Sequence, residues 1–298
     1  MKKIVVIGSS NMDLVVSTPQ FPRPGETVMG SDFMMNLGGK GANQAVAATR
    51  LGGNVSFIAK VGEDAYGREM KEQFAAEGMN IDHVTATDCS SGIAVITVNS
   101  DGENNIVVVG GANQRLTGDD IDNARGLIEA SDIVLMQLET PVETLTRAAA
   151  MAHSMGKLVV LNPAPARTLP VELLENVDII IPNETEASLL SGIEVTDNDS
   201  AAKAIAKLQS LGVKDVIMTM GSQGAATTEG GKLVMVPTPR VTAVDTTAAG
   251  DTFCGAFCVA LGEDMDKKDA IAFACKAAAY TVQHRGAQCA MPRREQIK

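Results

Sequence analysis

The stretch DTTAAGDTFCGAF, Asp245–Phe257, places small residues and two aspartates directly before an apolar helical run. A helix start needs one capping side chain, which Asp245 or either threonine could supply. The small residues Ala248, Ala249 and Gly250 would let successive backbone N–H groups converge at the helix N-terminus. Such a convergence forms an anion hole, suited to a phosphate or to a developing negative charge.

Asp251 follows that glycine directly. A carboxylate is repelled by phosphate, so its use at this place is chemical: it can accept a proton from an attacking hydroxyl. An aspartate in the first turn of a helix is more often only a partner of the helix dipole. Its position immediately after Gly250 favours the catalytic interpretation.

The composition argues against two classes of partner. The formal net charge of −11 is unfavourable for binding nucleic acid, because a phosphate backbone needs a basic footprint. Aromatic residues make up only 3% of the chain and Trp is missing, so a base-stacking platform is not expected either. The apolar runs fall far short of the ~20 residues of a membrane span, and we expect no membrane association.

The five cysteines form an odd set without a compact framework, which is typical of a reducing compartment. The N-terminal run KKIVVIG is too short for the apolar region of a signal peptide and has no cleavage-like site. We interpret it as a first buried strand and expect a cytoplasmic protein.

Most of the chain alternates strand-like and helix-like runs. The strands, such as DIVLMQLE and KLVVLNP, are continuous in Val, Ile and Leu, as is typical of strands buried on both faces. Short connections between these units predict an α/β fold with a mostly parallel central sheet covered by helices. We interpret residues 1–298 as a single domain.

Two regions, about 12–36 and 91–111, break this pattern. Both alternate apolar and polar residues, and the second predicts a β-hairpin around SDGENN. Strands of this kind do not fit between parallel neighbours. A small antiparallel sheet standing off the main sheet is therefore expected, and it is a candidate lid.

Ligands of open α/β sheets bind outside the carboxyl ends of the strands. Polar residues or glycines follow several predicted strands there, namely Asn11, Asp13, Glu139, Asn183, Thr219 and Gly221. The run NLGGKGANQA, residues 36–45, is neither a Walker A loop nor a GxGxxG motif. It is either a flexible turn before a helix or a glycine-rich approach to a polar ligand, with Lys40 and Asn43 pointing into it.

These residues carry a resemblance to a known family. GGKGANQA and DTTAAGDTFCGAF match the two signature motifs of the PfkB carbohydrate kinases, and the chain resembles this family over essentially its whole length. GSSNMD, PGET, MQLE, LNPAPAR and PNETEA are similar to its ribokinase branch in particular, in the expected order. The resemblance implies a three-layer ribokinase-like fold and transfer of the ATP γ-phosphoryl group to the 5-hydroxyl of D-ribose.

The resemblance also implies roles for individual residues. Asp251 would be the base, and Ala248, Ala249 and Gly250 would form the anion hole. The sugar-binding positions would be Asn11, Asp13, Gly39, Lys40, Asn43, Glu139 and Asp251. The nucleotide-binding positions would be Asn183, Glu186, Thr219, Gly221, Ser222, Gln223, Gly224, Gly250 and Cys275.

Two kinds of metal ion are implied in the same way. Mg²⁺ would accompany ATP, with Glu186 organising it through water, since this ion keeps much of its hydration. A monovalent cation, usually K⁺, would lie beside the anion hole. Its ligands would be Asp245, Thr247, Thr281, His284, Gly286 and Ala290, the last standing where relatives often carry serine.

Two other functions stay open at this point. One is a related kinase for deoxyribose, fructose or a nucleoside, although the pair Asn11 and Asp13 favours a substrate with vicinal hydroxyls. The other is a non-catalytic sugar-binding homologue, which would be free to lose Asp251. A homodimer through the lid is also expected, because exposed apolar strand residues such as Val95, Val107 and Val109 need a cover.

Overall fold

A computed structural model describes residues 1–297 of the chain. Its strands, numbered in chain order, are β1 Lys3–Ile7, β2 Asn11–Ser17, β3 Asp32–Gly38, β4 Asn54–Gly62, β5 Asn80–Thr87, β6 Gly92–Val98, β7 Asn104–Val109, β8 Ile133–Met136, β9 Leu158–Leu161, β10 Ile179–Ile180, β11 Asp215–Val216, β12 Met218–Thr219, β13 Ala225–Glu229 and β14 Lys232–Val236. Its α-helices are α1 Lys40–Arg50, α2 Ala65–Ala76, α3 Gly118–Asn123, α4 Arg125–Glu129, α5 Val142–Ser154, α6 Val171–Leu174, α7 Glu184–Ser191, α8 Asn198–Ser210, α9 Ala249–Gly262 and α10 Lys267–Thr281.

The central sheet has seven parallel strands in the order β11-β10-β9-β8-β1-β4-β5. Successive residues of β1 enter different cores. Ile4 and Val6 pack in the core that contains α1, α9 and α10, whereas Val5 and Ile7 pack in the core of α5 and α8. A sheet buried on both faces explains why its strands are continuous apolar runs. The predicted three-layer α/β fold is confirmed.

The lid is a four-stranded sheet in the order β3-β2-β6-β7. The pairs β2–β3 and β6–β7 are antiparallel, while the central pair β2–β6 is parallel. The hairpin predicted around SDGENN is confirmed, since it joins β6 to β7. β2 begins at Asn11, four residues after β1 ends. The chain therefore passes directly from an inner strand of the main sheet into the lid.

A third sheet, β12-β13-β14, is antiparallel and was not expected from the sequence. The run DVIMTMG, residues 215–221, has the apolar pattern of a single strand, but the structure divides it into β11 and β12. Only β11 belongs to the central sheet, and β12 pairs with β13. The chain then turns through the short 3₁₀ segment Gly221–Gln223.

Helices α1 and α9 lie close together, and this contact positions the site. A Cβ built on Gly255 of α9 would lie 2.6 Å from the carbonyl oxygen of Gln44 and 2.9 Å from the amide nitrogen of Ala48, both in α1. Only glycine allows this approach. The start of α9, which carries Asp251, is thereby held beside α1.

No α-helix within residues 1–297 is both long and apolar enough to cross a membrane.

Candidate active site

The carboxylate of Asp251 is buried at the start of α9, with 7% of the residue exposed. Asn43 Nδ2 donates a hydrogen bond to its Oδ2, and Gln44 Nε2 donates one to its Oδ1, both at 3.0 Å. Burial raises the pKa of this carboxyl, against the lowering effects of Lys40 and the two amides. A carboxyl with a raised pKa is better able to accept a proton than an ordinary surface aspartate.

Three acidic side chains act on one lysine at this site, and a fourth, Asp13, lies near two of them. Burial opposes the charge on Lys40, yet the carboxyls of Asp251, Glu139 and Glu186 together raise its pKa. Burial raises the pKa of Asp13 to about 7, with further increases from the charges of Glu139 and Asp251. The site therefore holds more negative charge than Lys40 can balance, which suits it to bind cations and hydroxyl donors.

The start of α9 leaves backbone donors free beside Asp251. Ala248 precedes the helix in the left-handed conformation, at φ 58°, and no side chain caps the helix, although Asp245 or a threonine could have done so. Within residues 1–297, the N–H groups of Gly250 and Asp251 have no acceptor. Both residues line the cavity described next, so these donors fit an anion hole. Of the expected set Ala248, Ala249 and Gly250, the N–H of Ala249 is already donated to the Thr246 carbonyl oxygen at 3.3 Å.

A cavity of about 510 Å³ opens from this helix start. It brings together Lys40, Asp251 and most of the residues expected on the nucleotide side. The latter are Asn183, Glu186, Thr219, Gly221, Gly224, Gly250 and Cys275. Ser222 and Gln223, also expected there, are exposed and do not line it.

Asn183 and Glu186 have a structural role as well, since they form a reciprocal capping box on α7. Glu186 Oε2 accepts from the Asn183 N–H at 2.9 Å, and Asn183 Oδ1 accepts from the Glu186 N–H at 2.8 Å. Burial raises the pKa of Glu186, although this N–H and Lys40 lower it. The cap fixes the Glu186 carboxylate at the cavity wall.

The residues expected to bind sugar lie between the lid and the main sheet. Glu139 Oε2 accepts from Ser9 Oγ at 2.6 Å and from the Lys40 N–H at 3.0 Å. Asn11 is buried in β2, and its Oδ1 accepts from Asn113 Nδ2 at 2.7 Å. That bond leaves the Asn11 Nδ2 group as the part of this side chain available to a ligand.

Gly39 packs tightly against the turn between β1 and β2. It has φ 86°, and a Cβ there would lie 2.8 Å from both the Asn11 amide nitrogen and the Ser10 Cα. Gly39 is therefore needed to seat the start of α1 against this turn. This close packing places Lys40 and Asn43 at the carboxyl ends of the central strands.

The residues expected to hold a monovalent cation are brought together in part. Asp245 Oδ1 accepts from the Thr247 N–H at 2.9 Å, and Oδ2 accepts from the Gly286 N–H at 2.8 Å. The Thr281 hydroxyl donates to Thr252 Oγ1 at 3.0 Å, in the core. A second cavity is lined by two other members of the set, His284 and Ala290.

Burial favours a higher pKa for Asp245, but the hydrogen bonds from Thr247 and Gly286 outweigh it and lower that pKa. The carboxylate is therefore charged at neutral pH. It holds the loop before α9 against the segment that follows α10.

Comparison with known proteins identifies the family. The model described as pfkB family carbohydrate kinase matches residues 1–294. This chain belongs to the PfkB family of carbohydrate kinases.

Relatives of this kinase match it over nearly their full length. A protein named Ribokinase from Haemophilus influenzae is 45% identical over 296 residues, covering 99% of this chain and 97% of the relative. A Deoxyribokinase from Salmonella typhi is 38% identical over 296 residues, with the same coverage. The structure of Arabidopsis thaliana ribokinase complexed with ribose and ATP superimposes with a TM-score of 0.93 at 36% identity, covering 99% of this chain and 97% of that one.

Four polar residues of the PfkB kinase site were not singled out from the sequence. They are Gln44, Asn113, Gln137 and Asn162. Three of them stand inside the family motifs, Gln44 in GGKGANQA, Gln137 in MQLE and Asn162 in LNPAPAR. Gln44 and Asn113 have hydrogen-bond partners about a hundred or more residues away along the chain. The spacing of residues in a motif does not reveal such pairs.

We expect kcat/KM for the sugar to rise with pH through about 7, the pKa of Asp13. Above that pH the side chain is a carboxylate and accepts hydrogen bonds from sugar hydroxyls, whereas below it the acid is a weaker acceptor. The measurement is a profile of kcat/KM from pH 5.5 to 8.5. D13N should lower kcat/KM at high pH, and its kcat/KM should no longer rise with pH through about 7. The same inflection in D13N would assign it to another group, such as Asp251.

Proposed function

We propose that this kinase transfers the γ-phosphoryl group of ATP to the 5-hydroxyl of D-ribose, giving D-ribose 5-phosphate and ADP. The observation that carries the proposal is the Asp251 carboxylate, buried beside free backbone N–H groups and close enough to Asp13 of the lid to raise its pKa. A hydroxyl held between lid and helix would lie next to both a base and an anion hole.

In the proposed step the 5-hydroxyl oxygen bonds to the γ-phosphorus while the bond from that phosphorus to the bridging oxygen of ADP breaks. The hydroxyl proton passes to Asp251, and the N–H groups of Gly250 and Asp251 stabilise the charge on the transferring group. Lys40 supplies a positive charge at the same place, since it lowers the pKa of both Asp251 and Glu186.

The sugar would be held by the polar groups under the lid. The carboxylates of Asp13 and Glu139 would accept from its hydroxyls, and the amide N–H groups of Asn11 and Asn43 would donate to its oxygens. Gly39 and Lys40 complete this wall. The relatives named Ribokinase, and the ribose and ATP in the Arabidopsis complex, support ribose over another sugar.

The charge of the cavity fits a magnesium nucleotide. Glu186 has one oxygen committed to the Asn183 N–H, and burial beside Asp251 raises its pKa. A hydrated Mg²⁺ brought in with ATP would be held here by Glu186 through water and would offset the excess of carboxylates. It would supply charge neutralisation on the phosphates.

We further propose one PfkB kinase domain acting in the cytoplasm. All five cysteines have free thiols, as expected where thiols stay reduced. Burial raises the pKa of Cys275 to about 11. This cysteine of the nucleotide wall would therefore be a neutral thiol at pH 7.

D251N should abolish turnover while leaving sugar and ATP binding largely intact. The amide cannot take the hydroxyl proton, and loss of a general base costs roughly 10²–10⁴-fold in kcat. The measurement is kcat with ATP and ribose, together with calorimetric titration of each ligand. Near wild-type turnover in D251N would remove Asp251 from the mechanism.

D-ribose should be preferred over 2-deoxy-D-ribose by about ten- to a hundredfold or more in kcat/KM. Without the 2-hydroxyl, a desolvated group such as the Asn11 amide would be left unpaired, at about 1–3 kcal/mol. N11L should reduce the ratio of the two kcat/KM values, mainly by lowering kcat/KM for ribose. Equal use of the two sugars by the wild-type enzyme would instead favour a broader sugar kinase, in line with the Deoxyribokinase relative.

K⁺ should raise kcat well above its value in Na⁺. The Asp245 carboxylate already ties the loop before α9 to Gly286, and a cation bound to the carbonyls of these segments would order the anion hole without touching substrate. Because Ala290 has no hydroxyl, K⁺ affinity should be weaker than in relatives with serine. Equal rates with and without K⁺ would contradict this.

A homodimer through the lid would cover its apolar outer face. Leu14 pairs with Met35 and Val95, and Val95 pairs with Val107, so these side chains share the face opposite Asp13. Val107 is 64% exposed. Such a surface on a sheet is a liability unless a second copy covers it.

V107K should shift sedimentation from dimer to monomer at micromolar concentration, because it places a charge in the covered face. The matched control is V171K in α6, which replaces a valine of similar exposure, 52%, away from the lid. A wild-type monomer, or dissociation in both variants, would refute the lid interface.

A further inference from the structure

A row of buried amide side chains leads from the core to the carboxylate of Asp251. Gln44 Nε2 donates to Asp251 Oδ1 and also to Asn162 Oδ1, both at 3.0 Å. Gln137 Nε2 donates to Gln44 Oε1 at 2.6 Å. Gln44 and Gln137 are fully buried and Asn162 is 8% exposed. The Gln44 amide therefore has both N–H groups and its oxygen engaged.

The direction of this chain is set by a backbone carbonyl. Asn162 Nδ2 donates to the carbonyl oxygen of Ile181 at 2.9 Å, and a carbonyl can only accept. Asn162 must therefore turn its oxygen toward Gln44, and Gln44 must turn its NH₂ group toward Asn162 and Asp251. A reversed Gln44 amide would bring its oxygen against the oxygens of both neighbours.

Gln137 reinforces the same orientation from the other side. Its NH₂ group can only donate, so it selects the oxygen of Gln44. Its own Oε1 is buried and has no partner within residues 1–297. A Cβ on Gly8 would lie 2.0 Å from that oxygen, so the glycine is needed to seat the side chain. A buried polar atom left without a partner is costly, and the arrangement is maintained in spite of it.

We propose that Gln44 is a positioning residue for phosphoryl transfer: held by Gln137 and Asn162, its amide fixes Oδ1 of the Asp251 carboxylate. Asn43 holds Oδ2, and the remaining lone pair of each oxygen is free for the acceptor hydroxyl. The proposal rests on the role of Asp251 as base. Misplacement of a reacting group by about 1 Å can cost about 10²-fold in rate, so a group that fixes the base acts on kcat more than on binding.

The test is Q44M, which keeps the side-chain length and removes the donor. We expect kcat to fall about ten- to a hundredfold, with KM for ribose and for ATP changed less than about twofold. The matched control is Q209M in α8, a Gln→Met change at a part-buried amide remote from the site, which should leave kcat and KM unchanged. Wild-type kcat in Q44M, or a loss confined to KM, would overturn the proposal.

Q137M tests the same idea through a residue that does not touch Asp251. Met at position 137 removes the donor to Gln44 and also the unpartnered oxygen. Folding should therefore be less affected than in Q44M, and Q137M provides the test if Q44M does not fold. We expect a kcat loss of about three- to tenfold. In Q44M/Q137M there should be no further loss relative to Q44M, because Gln137 acts only through Gln44. Additive losses would overturn the proposal.

D251N, measured alongside, separates two kinds of failure. If D251N is inactive while Q44M and Q137M turn over like wild type, the positioning role is wrong and the base assignment stands. If D251N itself turns over normally, the proposed mechanism fails, and the positioning role with it.

Discussion

The carboxylate of Asp251 is buried at a helix start, where its charge is opposed by desolvation and supported by one lysine and two amide donors. Both amides come from adjacent residues of α1, so the carboxylate is placed correctly only while α1 and α9 stay in close contact. Gly255 permits that contact on the α9 side. Gly39 permits α1 to seat against the turn between β1 and β2. The geometry of the site therefore depends on backbone approaches that a Cβ would block.

The same burial accounts for the chemistry of the surrounding cavity. The charge of Asp251 acts on both Asp13 and Glu186, and Lys40 interacts with Glu139, Glu186 and Asp251. Burial raises the pKa of Asp13, Glu186 and Asp251. Such a set is short of positive charge and rich in acceptors. A magnesium nucleotide on one side and a polyhydroxyl sugar on the other supply the cation and the donors that it lacks. The fold brings the two sides together because β1 continues directly into the lid.

Much of this could be predicted from local patterns. Continuous apolar strands indicated the parallel sheet, alternation indicated the lid, and the glycine before Asp251 pointed to an anion hole beside a base. The resemblance to the family suggested positions for nucleotide binding; most of these line the cavity, whereas Ser222 and Gln223 lie outside it. The amides of Gln44, Asn113, Gln137 and Asn162 were missed because their roles depend on partners distant in the chain. The third sheet was missed because β11 and β12 form one continuous apolar run in the sequence.

The decisive experiment is a crystal structure of the enzyme with D-ribose and a non-hydrolysable ATP analogue. We expect the 5-hydroxyl oxygen within about 2.6–3.2 Å of an Asp251 carboxylate oxygen. We also expect the γ-phosphate on the N–H groups of Gly250 and Asp251. A sugar seated with another hydroxyl against Asp251, or a γ-phosphate bound away from the start of α9, would contradict it.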